Sequence, residues 1–359
     1  MTDITKLIRS HLSTVETYAS VDPAEELARR AGISPEEVVK LNGNENPFGP
    51  HPAVAGAIGA SRLHLYPDPN QNAVRKALAK YTDMPFECLL AGAGGDELID
   101  LLLRLFVEPG ERLLDCDPTF GMYSFCARVA DAEVISVPRD ENFDVDTDAV
   151  AGFDDERTKS LFLASPNNPT GNELSEAEAR RLLEMDMVLV VDETYFEFSG
   201  NSLAHLVPEY ENLVILRSMS KWAGLAGLRI GYMIASPEIV RHLIDIKQPY
   251  SVSAAAEAAL ITSLENRDDL MKNVKIILEQ RGRLEAFLDT MDGVKYWPSS
   301  ANFLLCEFEQ GAGFVFEGLA SHGVFVRMFS HPRLTRHLRA SVGTPDETGR
   351  LMKALKTVI

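Results

Sequence analysis

Between residues 110 and 235, short runs of aliphatic and β-branched residues alternate with helical patterns, and this alternation constrains the fold more than any other feature. Residues 113–116, 134–137, 160–164, 187–191, 213–216 and 230–234 read as buried strands, with 97–106 and 176–184 among the intervening helices. Near-continuous apolar strands separated by amphipathic helices belong to a sheet covered on both faces. The expected fold is therefore α/β, a large, doubly wound, mostly parallel sheet. In such sheets ligands lie beyond the carboxyl ends of the strands, so the residues following each run are the ones to inspect.

After Tyr250 the pattern changes. A long helical stretch over 254–291 precedes strands at 302–308, 324–327 and 337–342 and a last helix from Asp346, which reads as a smaller α+β domain. The first forty residues, with a helix over 23–31, are expected to pack against it, so that 41–250 forms the large domain and 1–40 with 251–359 the small one. The 359 residues, 45% of them hydrophobic, suffice for two such cores.

The net charge of −18, without a long basic run, argues against a nucleic-acid or anionic-membrane partner. Any anionic ligand then needs a local cationic pocket. Cys88, Cys116, Cys126 and Cys306 lie far apart, in no CxxC or Cys-His cluster, so neither zinc nor a disulfide framework is expected. The start of the chain mixes charges into its apolar residues, and the apolar runs are strand-sized, so neither a secretory leader nor a membrane span is expected and the cytoplasm is the natural setting.

The chemistry-bearing residues follow the strands. Ser218-Met219-Ser220-Lys221 and a glycine-rich turn ending in Arg229 follow one, Asp192-Glu193-Thr194-Tyr195 another, and Ser165 to Gly171, including Asn168, a third. An amine flanked by hydroxyls, an arginine, a carboxylate behind a buried strand, and an amide with a phenol together match the needs of pyridoxal phosphate. Lys221 would form a Schiff base with the aldehyde and shuttle a proton. Ser218, Ser220 and Arg229 would hold the phosphate, Asp192 would face the pyridinium nitrogen, and Asn168 and Tyr195 would address the ring oxygen. Gly94-Gly95-Asp96, a strand-to-helix turn with an acidic N-cap, would be a second wall of the phosphate cup, and Phe120 could stack on the ring.

These residues, with Leu41-Asn42-Gly43-Asn44-Glu45-Asn46-Pro47, Tyr66-Pro67-Asp68 and 338–344, make the chain resemble the fold-type I aminotransferases, most closely those acting on histidinol phosphate, over nearly its whole length. The resemblance implies a homodimer with shared active sites, in which Tyr66 reaches the partner's cofactor phosphate. It also implies that Arg339, with Arg327 nearby, binds the anionic group of the substrate, and that Tyr18 lies near it. Gly95, Phe120, Trp222 and Ser253 depart from residues common in that group; none of these departures removes a catalytic side chain.

The expected reaction takes L-histidinol phosphate and 2-oxoglutarate to imidazole-acetol phosphate and L-glutamate. Alternatives are an aromatic or broad-specificity aminotransferase on the same fold, a decarboxylase of the threonine-phosphate type, and a cofactor-binding regulatory module joined to a DNA-binding domain, which the charge and the short stretch before Leu41 disfavour.

Overall fold

A computed structural model describes residues 2–359. Its strands are β1 (Val39–Lys40), β2 (Leu89–Gly92), β3 (Arg112–Asp117), β4 (Glu133–Pro138), β5 (Thr158–Ala164), β6 (Val188–Asp192), β7 (Leu213–Ser218), β8 (Gly231–Ile234), β9 (Val294–Tyr296), β10 (Phe303–Phe308), β11 (Val324–Phe325), β12 (Arg327–Met328) and β13 (His337–Ser341). Seven form the main sheet in the order β2-β8-β7-β6-β5-β3-β4, parallel except for β8, which runs against both neighbours. The α/β expectation holds.

Strands β6 and β7 are buried along their whole length, and two separate apolar clusters hold the faces of the sheet. Leu189, Val191, Leu213 and Ile215 enter one cluster, while Val188, Val190, Val214 and Leu216 enter the other. Alternate residues of one strand thus fill opposite cores, which explains why these segments read as continuous apolar runs.

The smaller sheet, β12-β13-β10-β9, is antiparallel and backs onto a third cluster with helices Ala312–Ser321 and Pro345–Val358. Helix Ala24–Ala31 and β1, which pairs in parallel with β11, attach the beginning of the chain to this body. Helix Ala254–Glu265 instead packs on helices Ala53–Ala60 and Asn72–Thr82 and shares the large sheet's core.

Two expectations need correction. The helical stretch over 254–291 is broken at Asn266, whose side-chain amide donates to the Thr262 carbonyl and whose backbone leaves the helical region, giving helices Ala254–Glu265 and Arg267–Leu288. Asparagine competes with the helix for its own hydrogen bonds, which periodicity does not register. The run 324–327 is likewise two short strands with different partners, β11 on β1 and β12 on β13. Among the described residues, no helix is long and apolar enough to cross a membrane.

Candidate active site

The carboxyl ends of β3, β5, β6 and β7 lie side by side in the sheet, and the segments beginning Asp117, Ser165, Asp192 and Ser218 leave from them. The antiparallel β8 brings a fifth element to the same edge, because Gly231 registers with both Gly92 at the end of β2 and Ser218 at the end of β7. A Cβ on Gly231 would lie 3.0 Å from the Gly95 nitrogen and 2.9 Å from the Arg217 carbonyl. Glycine there lets the 92–95 turn and the 218–221 segment close on one another.

The turn leads into helix Gly95–Phe106, and its N-cap is Gly94, at φ +83°, rather than the expected acidic residue. Only a residue at ease with positive φ fits, and a Cβ at Gly94 would meet the Arg229 guanidinium at 2.6 Å. Asp96 sits one residue inside the helix and pairs with Arg229 at 2.7 Å. Ser218 Oγ accepts from the Ser220 N–H at 3.1 Å, while Ser220 Oγ is buried with no partner among the described residues. The 92–95 and 218–231 segments thus bring a helix N-terminus, an orphaned hydroxyl and a half-exposed guanidinium, which are groups of the kind an anion site uses.

Asp192 is buried, and burial pushes its carboxyl above the usual carboxylate range. The Tyr123 hydroxyl donates to it at 2.8 Å and the Thr194 N–H at 3.0 Å, yet among the described residues no cation pairs with it. A buried acid in that state can take a cationic partner from a ligand. Phe120 packs edge-on to Tyr123 and Tyr18 edge-on to Phe120, so an aromatic series runs from Asp192 to the surface.

Lys221 donates from Nζ to the Gly43 carbonyl at 3.0 Å. Burial, with Arg339 nearby, lowers its amine to about 8. About a tenth of a lysine held there is neutral at pH 7, several hundred times the share of an ordinary lysine, and that is the form that attacks an aldehyde. Tyr195 is buried edge-on to Phe303, and its hydroxyl accepts from Asn44 Nδ2 at 2.9 Å. The donor set, the orphaned hydroxyl and the unpaired acid fit pyridoxal phosphate.

On β12 and β13, Arg327 and Arg339 are direct cross-strand partners. Arg339 is buried over Phe303, donates to the Asn42 carbonyl at 2.7 Å and to Asn168 Oδ1 at 2.5 Å, and keeps Nε unpartnered among the described residues. Burial presses its charge down to about 10, so an incoming anion would be welcome. Arg327 is occupied differently: it donates to the carbonyls of Ala19 and Ser20 and so ties down the segment that carries Tyr18. Tyr66 lies apart from these groups, 81% exposed and stacked on Tyr250.

Residues 36–355 match the family described as Aminotransferase class I and II. The chain belongs to that aminotransferase family. The histidinol-phosphate aminotransferase of Roseiflexus castenholzii is 43% identical over 99% of both chains. Histidinol-phosphate aminotransferase 1 of Arabidopsis thaliana chloroplasts is also 43% identical, over 97% of this chain and 85% of its own length. A crystal structure of the Sinorhizobium meliloti histidinol-phosphate aminotransferase in complex with pyridoxal-5'-phosphate superposes with a TM-score of 0.88 at 26% identity, covering 98% of this chain and 97% of that one.

For this aminotransferase, motif reasoning assigned no role to Tyr123, Asn44 or Ser341. Tyr123 follows Phe120 by three residues, the spacing of one helical turn, and that signal was readable. The bonds of Asn44 to Tyr195 and Ser341 span 151 and 297 residues and carry no local signal.

Proposed function

We propose that this chain is a pyridoxal-phosphate-dependent aminotransferase of histidine biosynthesis that converts L-histidinol phosphate and 2-oxoglutarate to imidazole-acetol phosphate and L-glutamate. Full-length identity of 43% to histidinol-phosphate aminotransferases supports the substrate assignment. The observation that carries the cofactor assignment is the buried Asp192, which has no cation of its own and stands on the strand neighbouring the one that leads to Lys221. When bound, the cofactor supplies an aldehyde for covalent attachment and a ring that withdraws electrons from the substrate α-carbon.

In this reading Lys221 holds the cofactor and then moves the proton at the substrate α-carbon, for which an amine near 8 is well matched at physiological pH. Gly94, Gly95, Asp96, Ser218, Ser220 and Arg229 would hold the cofactor's phosphate, and Phe120 would stack on its ring. Asn168 and Tyr195 serve the ring oxygen. Arg339 takes the anionic group of either substrate as a fork. Arg327 acts chiefly by fixing the stretch after Tyr18, so that Tyr18 and Phe120 close the mouth of the site against water.

Tyr66, exposed on its own chain beside Leu63, Leu65 and Tyr250, is supplied to a second copy in a homodimer with shared sites. The work divides between a large domain, 41–250, and a small one, 1–40 with 251–359, with helix Ala254–Glu265 bridging them. The protein acts in the cytoplasm.

The test is glutamate formation from 2-oxoglutarate with histidinol phosphate, phenylalanine, tyrosine and aspartate as donors. Histidinol phosphate should exceed the others by at least about tenfold in kcat/KM, and Arg339→Lys should lose about 10- to 100-fold because one fork becomes a point charge. Equal use of the aromatic donors would replace this reading with a broad-specificity aminotransferase. Carbon dioxide release without an oxo-acid acceptor would replace it with a decarboxylase.

A further inference from the structure

The segment Asn42-Gly43-Asn44-Glu45-Asn46 touches four site positions at once. The Asn42 carbonyl accepts from Arg339 and the Gly43 carbonyl from Lys221, while Asn44 Nδ2 donates to the Tyr195 hydroxyl and Asn46 Nδ2 to the Trp222 carbonyl at 2.7 Å. Within it Asn44 is 1% exposed and sits at φ +53°, a left-handed conformation that asparagine tolerates better than most residues.

We propose that Asn44 is a positioning residue that forces the Tyr195 hydroxyl to act as a hydrogen-bond donor toward the cofactor's ring oxygen. This rests on the pyridoxal-phosphate reading of the site. A phenol has one hydrogen. When Asn44 Nδ2 donates to the Tyr195 oxygen, that hydrogen has to point elsewhere, and the segment leaves it aimed away from Asn44.

The orientation of the Asn44 amide is set by its other partners. Ser341 Oγ accepts from the Asn44 backbone N–H at 2.9 Å and lies 2.7 Å from Asn44 Oδ1. With Oδ1 facing Ser341, the serine hydroxyl donates to it, Nδ2 donates to the Tyr195 oxygen, and the Tyr195 hydrogen is left for the cofactor's ring oxygen. With the amide turned over, the buried Ser341 hydrogen would lose its acceptor, at a cost of about 1–3 kcal/mol. Asn302 Nδ2 fixes the backbone by donating to the Asn44 carbonyl at 3.1 Å.

The Tyr195 ring is held against Phe303, and burial keeps the phenol protonated, pushed up to about 12, so it remains a donor over the working range. The charged or titratable groups facing it are Arg339, Asp192 and Tyr18.

The test compares wild type, Asn44→Asp, Tyr195→Phe and the double variant, each loaded with pyridoxal phosphate, by the pH midpoint of the bound cofactor's visible absorbance. Aspartate tolerates the left-handed backbone and still accepts from Ser341, but presents an acceptor to Tyr195 and captures its hydrogen. The midpoint should rise by about one pH unit in Asn44→Asp and in Tyr195→Phe, and Asn44→Asp should add nothing in the Tyr195→Phe background. An equal rise from Asn44→Asp in both backgrounds, or none in the single variant, overturns the proposal. Asn44→Gly, which relieves any folding defect at φ +53°, should give a smaller rise that again vanishes without the phenol; a rise independent of the phenol counts against it. If wild type gains no titrating absorbance with the cofactor, the functional reading fails and takes this inference with it. If wild type titrates and the rise ignores Tyr195, only the role of Asn44 fails.

Discussion

Replacing Lys221 with methionine should stabilise the cofactor-free protein at low pH and lose that advantage as pH rises. The amine is lowered from its ordinary 10.5 to about 8, chiefly by burial and then by Arg339. At about 1.4 kcal/mol per unit, carrying the ammonium in the folded site costs about 3 kcal/mol well below pH 8. Between about 8 and 10.5 the unfolded chain binds more protons than the folded one, so stability rises with pH there and the cost fades. Methionine matches the length of the lysine stem without the charge, and strands the Gly43 carbonyl at a loss of about 1 kcal/mol. Urea unfolding at matched protein concentration should therefore find Lys221→Met about 2 kcal/mol more stable than wild type near pH 6.5, and no more stable near pH 9.5. A difference that does not change with pH would refute the claim that the site holds this amine against its charged form.

Asp192→Asn should retain the fold and Tyr123 contact but lose on the order of 10³-fold in kcat for glutamate formation, because an amide cannot hold a cationic ring nitrogen. Retained turnover would reassign Asp192 to a structural part. Glu193 and Arg217 form a fully buried ion pair at 2.9 Å on the far side of the same two strand ends. Glu193→Ala should cost about 3–5 kcal/mol in urea unfolding at pH 7 by leaving Arg217 unpaired, whereas Glu193→Leu with Arg217→Met should cost far less. Similar losses in both variants would show that packing, and not the stranded charge, sets the penalty.

The main sheet was legible because its inner strands are buried on both faces, so they appear as apolar runs such as 187–191 or 213–216. The order of loops at the carboxyl edge followed from the α/β pattern, and Lys221, Asp192 and Asn168 were therefore placed correctly after their strands. The break at Asn266 and the division of 324–327 were not legible, since each depends on a hydrogen bond made across the fold or along a helix and not on periodicity.

Taken alone, the order of residues determined which chemical groups this protein owns and on which strand ends they stand, because side-chain alternation and helix period are local and need no partner to be read. What three dimensions decided is how those groups are charged and aimed. The cross-strand pairing of Arg327 with Arg339, the diversion of Arg327 to the backbone at Ala19 and Ser20, the lone acid at 192 and the grip of Asn44 on Tyr195 all join residues far apart in the chain. Burial and hydrogen-bond direction arise only when such residues meet, so no stretch of sequence contains them.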